Sequence, residues 1–131
     1  MRAYTDSEIT LTIPARREDV LVIRTALGGA GLLMGLDIDR LDDLRTAADE
    51  ACDYLLNQDR KAVRLEMTCH MADRVMVTEF TALFSGDEQQ TAQADREMAQ
   101  AILETLIPQV TFETDDRGVY RIRLGLPVQE S

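Results

Sequence analysis

The sequence predicts a two-layer α/β sandwich: a mixed, mainly antiparallel sheet with helices on one face. Two kinds of pattern carry that expectation. Apolar residues recur at steps of three and four in some stretches, and they alternate with polar residues in others. Taken in order, the stretches read βααββαββ, with strands arriving as hairpins and helices between them. A chain of 131 residues makes one domain, 1–131, large enough to bury a core without staples.

The central stretch is LDDLRTAADEACDYLLNQ, Leu41 to Gln58. Leu41, Leu44, Ala48, Ala51 and Leu55 form one apolar stripe on a helix. Asp42, Asp43, Asp49, Glu50 and Asp53 occupy the other side. Glu50 and Tyr54 are four apart and stack on a single face, which is where any chemistry is expected.

Before it, Glu8 to Ile13 alternates as a half-buried strand that Pro14 ends. Arg17 to Met34 is helical by pattern, with Val20, Ile23, Leu27, Ala30 and Met34 on one face. Gly28, Gly29 and Gly31 do not make a phosphate loop, because no strand precedes them and no Gly-Lys-Ser/Thr follows. Late in a helix they either weaken it or admit a close neighbour. Gly35 breaks the helix, and Asp37 or Asp39 can cap the next one.

After it, Ala62 to His70 reads as a strand with Val63, Leu65, Met67 and Cys69 facing in. Arg74 to Phe84 completes a hairpin. Ser85 to Gln93 is a polar loop. Met98, Ala101, Ile102, Thr105 and Leu106 then mark a third amphipathic helix, stopped by Pro108. Val110–Thr114 and Val119–Leu124 are the last strands, joined by a turn that ends at Gly118.

A net charge of −10 disfavours nucleic acid and suits a basic protein partner. Cys52 and Cys69 have no zinc-ligand spacing and read as reduced thiols, so no metal site is expected. His70 has no paired nucleophile. No apolar run reaches the ~20 residues that cross a membrane. With no signal peptide visible, the expected compartment is the cytoplasm.

Two stretches carry a family likeness. IPARREDVLVIR, Ile13 to Arg24, followed by DLRTAADEAC in the acidic helix, resembles the anti-sigma-factor serine kinases of the RsbW and SpoIIAB type. These belong to the histidine-kinase-like (Bergerat) ATPase superfamily, and the likeness is greatest to the actinobacterial anti-sigma-F branch. The resemblance implies partner switching: a sigma factor is held, then released when an anti-anti-sigma (STAS-type) protein binds instead. Members commonly dimerise, and the exposed sheet edge is the expected place. Active members use ATP and magnesium to phosphorylate a serine of the anti-anti-sigma protein.

Carried over residue by residue, the likeness keeps the presumed base, Glu50, but puts Tyr54 where the family has its magnesium-binding Asn. Gln58 stands where it has a His. A phenol is not a magnesium ligand. The first glycine box, Asp-x-Gly-x-Gly, is replaced by the stretch from Glu79 to Gly86. At the second box stand Arg96, Glu97 and Ala99, where Cβ atoms and a carboxylate oppose phosphate. Arg24 matches the helix-one arginine that the family uses to contact both partners. The expectation is a partner-binding module without a cofactor. The alternative is an ATP-dependent serine kinase with Glu50 as base and Asp49 or Asp53 on magnesium. A third reading is a degenerate domain serving another partner.

Overall fold

The computed structural model describes residues 8–89 and 94–128. The elements are β1 (Ile9–Pro14), a 3-10 turn (Arg17–Asp19), α1 (Val20–Met34), α2 (Ile38–Leu56), β2 (Arg60–Ala72), β3 (Val75–Glu88), α3 (Arg96–Leu106), β4 (Gln109–Asp115) and β5 (Gly118–Pro127). The strands form one sheet in the order β1-β2-β3-β5-β4. Every neighbouring pair is antiparallel, so the expected mixed sheet is wholly antiparallel. The reason is connectivity. Two hairpins and an outer strand that folds back on β2 leave no parallel crossover.

The core lies between this sheet and the helices. The predicted stripes of α1 and α2 are buried as expected: Ile23, Leu27, Leu44, Ala48 and Leu55 meet Leu65, Met67, Phe80, Ile122 and Leu124 from the strands. Asp37 caps α2, its carboxylate accepting from the Arg40 N–H at 2.9 Å. The other sheet face is polar. Arg123 pairs with Glu79 at 2.8 Å and with Glu113 at 3.4 Å, and Arg121 donates to Thr81 at 3.0 Å. Such a ladder of cross-strand charges suits a face turned to water.

Four local expectations are corrected. Val63 faces out, because a β-bulge between Ala62 and Arg64 shifts the phase; Ala62, Leu65, Met67 and Cys69 take the inward positions. A single extra residue moves a side chain to the opposite face. The stretch from Ser85 is not all loop: β3 continues to Glu88, paired with Arg60 of β2. Residues 90–93, the rest of that loop, lie outside the described residues, as do 1–7 and 129–131. In α3 the buried residues are Ala99 and Leu103, whereas Met98 and Ile102 are exposed. That helix has two apolar faces, and packing against α2 selected the narrower one. The β2–β3 turn, finally, is made by Asp73 and Arg74, both at positive φ (51° and 66°), the left-handed pair of a two-residue hairpin.

The glycines separate by environment. A Cβ at Gly31 would sit 2.5 Å from Leu41 Cδ1 and 3.2 Å from Leu36 Cδ1, whereas Gly28 and Gly29 have nothing within 4 Å. Gly31 is therefore the close-approach residue, letting α1 meet the start of α2. In dilute protein, Gly31→Ala is expected to destabilise by roughly 1–3 kcal/mol through overpacking. Gly28→Ala and Gly29→Ala should each stabilise by about 0.5–1 kcal/mol through helix propensity. Urea unfolding of the three variants checks the sign at each position.

Candidate functional site

The candidate site is the half-exposed side of α2 with the elements beside it. Glu50, Asp53 and Asn57 follow one another along that side, a turn or so apart. With Arg17, Tyr54 and the start of α3 they line a cavity of about 290 Å³. A second hollow, about 370 Å³, lies between α1 and α2 and is bordered by Leu21, Arg24 and Asp49. Arg17 and Asp53 line both. Their ion pair, 3.5 Å long and largely exposed, forms the rim between them and contributes little stability.

Glu50 is partly buried, and its carboxyl is pushed above the usual range, first by desolvation and then by the charge of Asp53. The sign follows from linkage. A raised carboxyl favours the fold while it is protonated, and that contribution fades as pH rises above the unfolded value. Glu50 can accept a proton, and among the described residues that line the cavity there is no serine, threonine, cysteine or lysine. Asp53 accepts from Asn57 Nδ2 at 3.2 Å, and the same Nδ2 donates to the Asp53 carbonyl at 2.7 Å. Among the described residues no group of three or more His, Cys, Asp or Glu could hold a metal ion. The amide that Asn57 brings to the cavity was not singled out in the sequence, because it falls between the motif positions Tyr54 and Gln58 and only the cavity lining shows its place.

Tyr54 lines the same cavity as Glu50, with little of it open to solvent. It is buried, and its ring meets Phe112 of β4 edge-on, 5.6 Å between centroids at 64°. The reason is α3 and β4, which close over that flank of α2. Burial pushes the Tyr54 phenol up; Arg96 lowers it and Asp95 raises it. The Arg96 guanidinium also lies 5.5 Å from the Phe112 centroid. Tyr54, Phe112 and Arg96 thus form one stack, a sequence of edge contact and cation–π contact.

The three residues at the second glycine box all belong to α3. Glu97 is exposed in its first turn, and Ala99 is buried. The Asp95 carboxylate caps this helix, accepting from the Met98 N–H at 3.1 Å. A helix N-terminus attracts anions, and here the chain's own carboxylate holds that position. The first-box region, Glu79 to Gly86, is β3 itself, and Gly86 is exposed at φ 97°.

Gln58 is buried and has a structural task. Its Nε2 donates to the Val119 carbonyl at 2.7 Å, and its Oε1 accepts from the Val119 N–H at 3.0 Å. Arg60, also buried, pairs with Asp115 through two bonds of 3.0 and 2.9 Å and lies 3.8 Å over the Phe84 ring. The Asp115 carboxyl is held below the usual range, first by the Arg117 N–H and then by Arg60.

Arg24 stands at the edge of α1. Its Nε approaches Asp49 Oδ2 at 3.4 Å, and both side chains are about half exposed (38% and 47%). The pair lacks hydrogen-bond geometry, leaving Nε without a bonded partner. Cys52 and Cys69 are free and buried; burial raises both thiols, Cys69 to about 11. His70 lies on the outer sheet face, 3.9 Å from Glu8, away from the site. No helix among the described residues is long and apolar enough to cross a membrane.

An antiparallel five-stranded sheet under three helices, with an acidic α2 bordering a hollow beside α3, defines an α/β sandwich of the kind that the sequence likeness implies. The comparisons point the same way. Over 48 residues the chain is 40% identical to the anti-sigma-F factor RsbW of Mycobacterium tuberculosis, in two strains, and the matched stretch is 37% of this chain and 29% of that protein. The chain thus spans less than a third of the curated relatives it matches. Its fold matches the crystal structure of the RsbU and RsbW domains of Rv1364c from Mycobacterium tuberculosis. That match has a TM-score of 0.72 and 13% identity, and covers 95% of this chain and 33% of that one. No protein-family model matches the sequence. The chain is RsbW-like in sequence over part of its length, and it shares the fold over nearly all of it.

Proposed function

We propose that this chain is an anti-sigma-factor-like regulator. It binds a sigma factor or an anti-anti-sigma protein in the cytoplasm and switches between them without phosphorylating either. The likeness to anti-sigma-F factors supports the class of partner. The observation that carries the reading is a contrast along α2. On one side Arg24 stands half exposed beside a hollow of about 370 Å³, its charge met, among the described residues, by a 3.4 Å pair with Asp49. A planar guanidinium held so loosely can turn to a partner's carboxylate and pair with it bidentately. On the other side, the resemblance puts Tyr54 where the family has its magnesium-binding Asn, and Arg96, Glu97 and Ala99 at its second glycine box, which supports a reading without nucleotide.

The test is a binding series: each sigma factor and STAS-domain protein of the host against the purified chain, with and without ATP and Mg²⁺. One partner is expected to bind with unchanged affinity in the presence of nucleotide. Arg24→Ala should weaken it at least about tenfold, as a central interface arginine does. Calorimetric titration with ~1 mM ATP and Mg²⁺ should give no saturable heat and no rise in melting temperature. Saturable heat, with phosphate appearing on a serine of the STAS protein, would replace this reading with the kinase, Glu50 its base. Binding to none of the host's sigma factors or STAS proteins would overturn it altogether.

A further inference from the structure

The cavity beside α3 is rich in hydrogen-bond acceptors and poor in donors. Glu50, Asp53 and Asp95 bring carboxylates to its wall, and among the described lining residues Arg17 is the one cation. Arg17 is largely exposed and turned to Asp53 at the rim. Glu50 has no ion pair or hydrogen bond among the described residues; desolvation and the like charge of Asp53 act on its carboxyl. Asn57 gives its Nδ2 to the Asp53 carbonyl and carboxylate, which leaves Oδ1 to accept. Asp95 uses Oδ1 on the Met98 N–H, and Oδ2 remains.

Tyr54 adds a polar group of another kind. It is only 8% exposed, and its phenol has no hydrogen-bond partner among the described residues. A hydroxyl so deeply buried ordinarily has one. Its oxygen is not among the polar atoms sealed from solvent, so its remaining access opens on the cavity that it lines. The charged groups acting on it, Arg96 and Asp95, stand at the start of α3 beside that cavity.

Acceptors of this number and spread call for a ligand that donates. Among the described residues the carboxylates form no group that could hold a metal ion, so the cation they suit is a larger, organic one. An ammonium is a compact, strongly hydrated point charge, whereas a guanidinium is a planar fork of N–H donors that pairs bidentately with a carboxylate. Met98, Ala94 and Ala99 offer an apolar wall for its stem.

We propose that this cavity is a guanidinium site, in which Glu50 is the paired carboxylate and Asn57 Oδ1 and the Tyr54 hydroxyl accept the outer N–H groups. The guanidinium is carried either by a free arginine derivative or by an arginine of a bound protein. The assignment rests on the reading above only in that no nucleotide fills the cavity.

Titration of the purified chain with Nα-acetyl-L-arginine amide, by calorimetry and heteronuclear NMR, tests it. Saturation is expected with a Kd of ~1 mM or below, and the Asn57 side-chain amide signals should move. Glu50→Gln should weaken binding at least about tenfold and Tyr54→Phe at least about threefold, with circular dichroism unchanged in both. Asp42→Asn, which alters an exposed carboxylate elsewhere on α2, should change it less than about twofold. The citrulline amide, a neutral urea of the same shape, should not bind, and the lysine amide should bind at least about fivefold more weakly. Free L-arginine separates the two sources. A small-molecule site takes it as well as the blocked form, whereas its own carboxylate repels it from a site built for a protein's arginine. No saturation by ~10 mM would overturn the proposal. So would equal binding of the citrulline or lysine amide, or a loss in Glu50→Gln no larger than in Asp42→Asn. Saturable heat with ATP overturns the nucleotide-free reading instead, and is told apart because the arginine titration contains no nucleotide.

Discussion

Tyr54→Ala is expected to destabilise the protein by about 3–5 kcal/mol, the usual cost of removing a buried aromatic ring. The ring is buried in the flank of α2 and meets Phe112 edge-on. Phe112 in turn lies under the Arg96 guanidinium, so one truncation loosens the joint between α2, α3 and β4. Tyr54→Phe keeps the ring and every aromatic contact, and should cost less than about 1.5 kcal/mol. The pair of variants separates packing from the hydroxyl, and urea unfolding measures both. If alanine cost no more than phenylalanine, the stack would not be what joins α3 to the rest of the fold.

Gln58→Ala is the second large effect, about 2–4 kcal/mol, because it strands two buried backbone groups at once. The amide closes a ring with Val119, giving one bond and taking one, between residues far apart in the chain. Gly118 leaves it room: a Cβ there would come within 2.9 Å of Gln58 Oε1, at a φ of 141°. Gln58→Glu adds a sign test. The new carboxylate can still accept from the Val119 N–H but faces the Val119 carbonyl without a donor. Its protonated form restores that donor, so its pKa is raised in the fold. Stability should be highest below about pH 4, the unfolded value, and decline as pH rises. Thermal melting between pH 4 and 8 reads this directly. A flat profile would mean that the Gln58 amide does not hold β5.

Much of the architecture was legible in the sequence. The stripes of α1 and α2 were read position by position, because long amphipathic helices have an apolar period that short-range chemistry cannot imitate. Asp37, Gly35, Pro108 and Gly118 marked boundaries for backbone reasons that hold in any fold. The likeness in Ile13–Arg24 and in the acidic helix pointed to the family that the comparisons then matched. Arg24 was singled out by that likeness, whereas Glu50 was already marked by its spacing from Tyr54 on one face of the acidic helix.

What the sequence could not supply was every choice made by a second element. Val63 turned outward because pairing with β3 placed a bulge beside it. Met98 and Ile102 were left in solvent because α2 met the Ala99–Leu103 face of α3 instead. Tyr54 lost most of its exposure because β4 supplied an aromatic ring to cover it. Gln58 became a clamp because β5 ran past with one unpaired N–H and one unpaired C=O. Period, capping and turn chemistry are properties of neighbours in sequence, so the chain alone determined them. Which of two apolar faces is buried, and which polar side chain meets a distant backbone, depends on long-range contacts, and those only the tertiary structure decided.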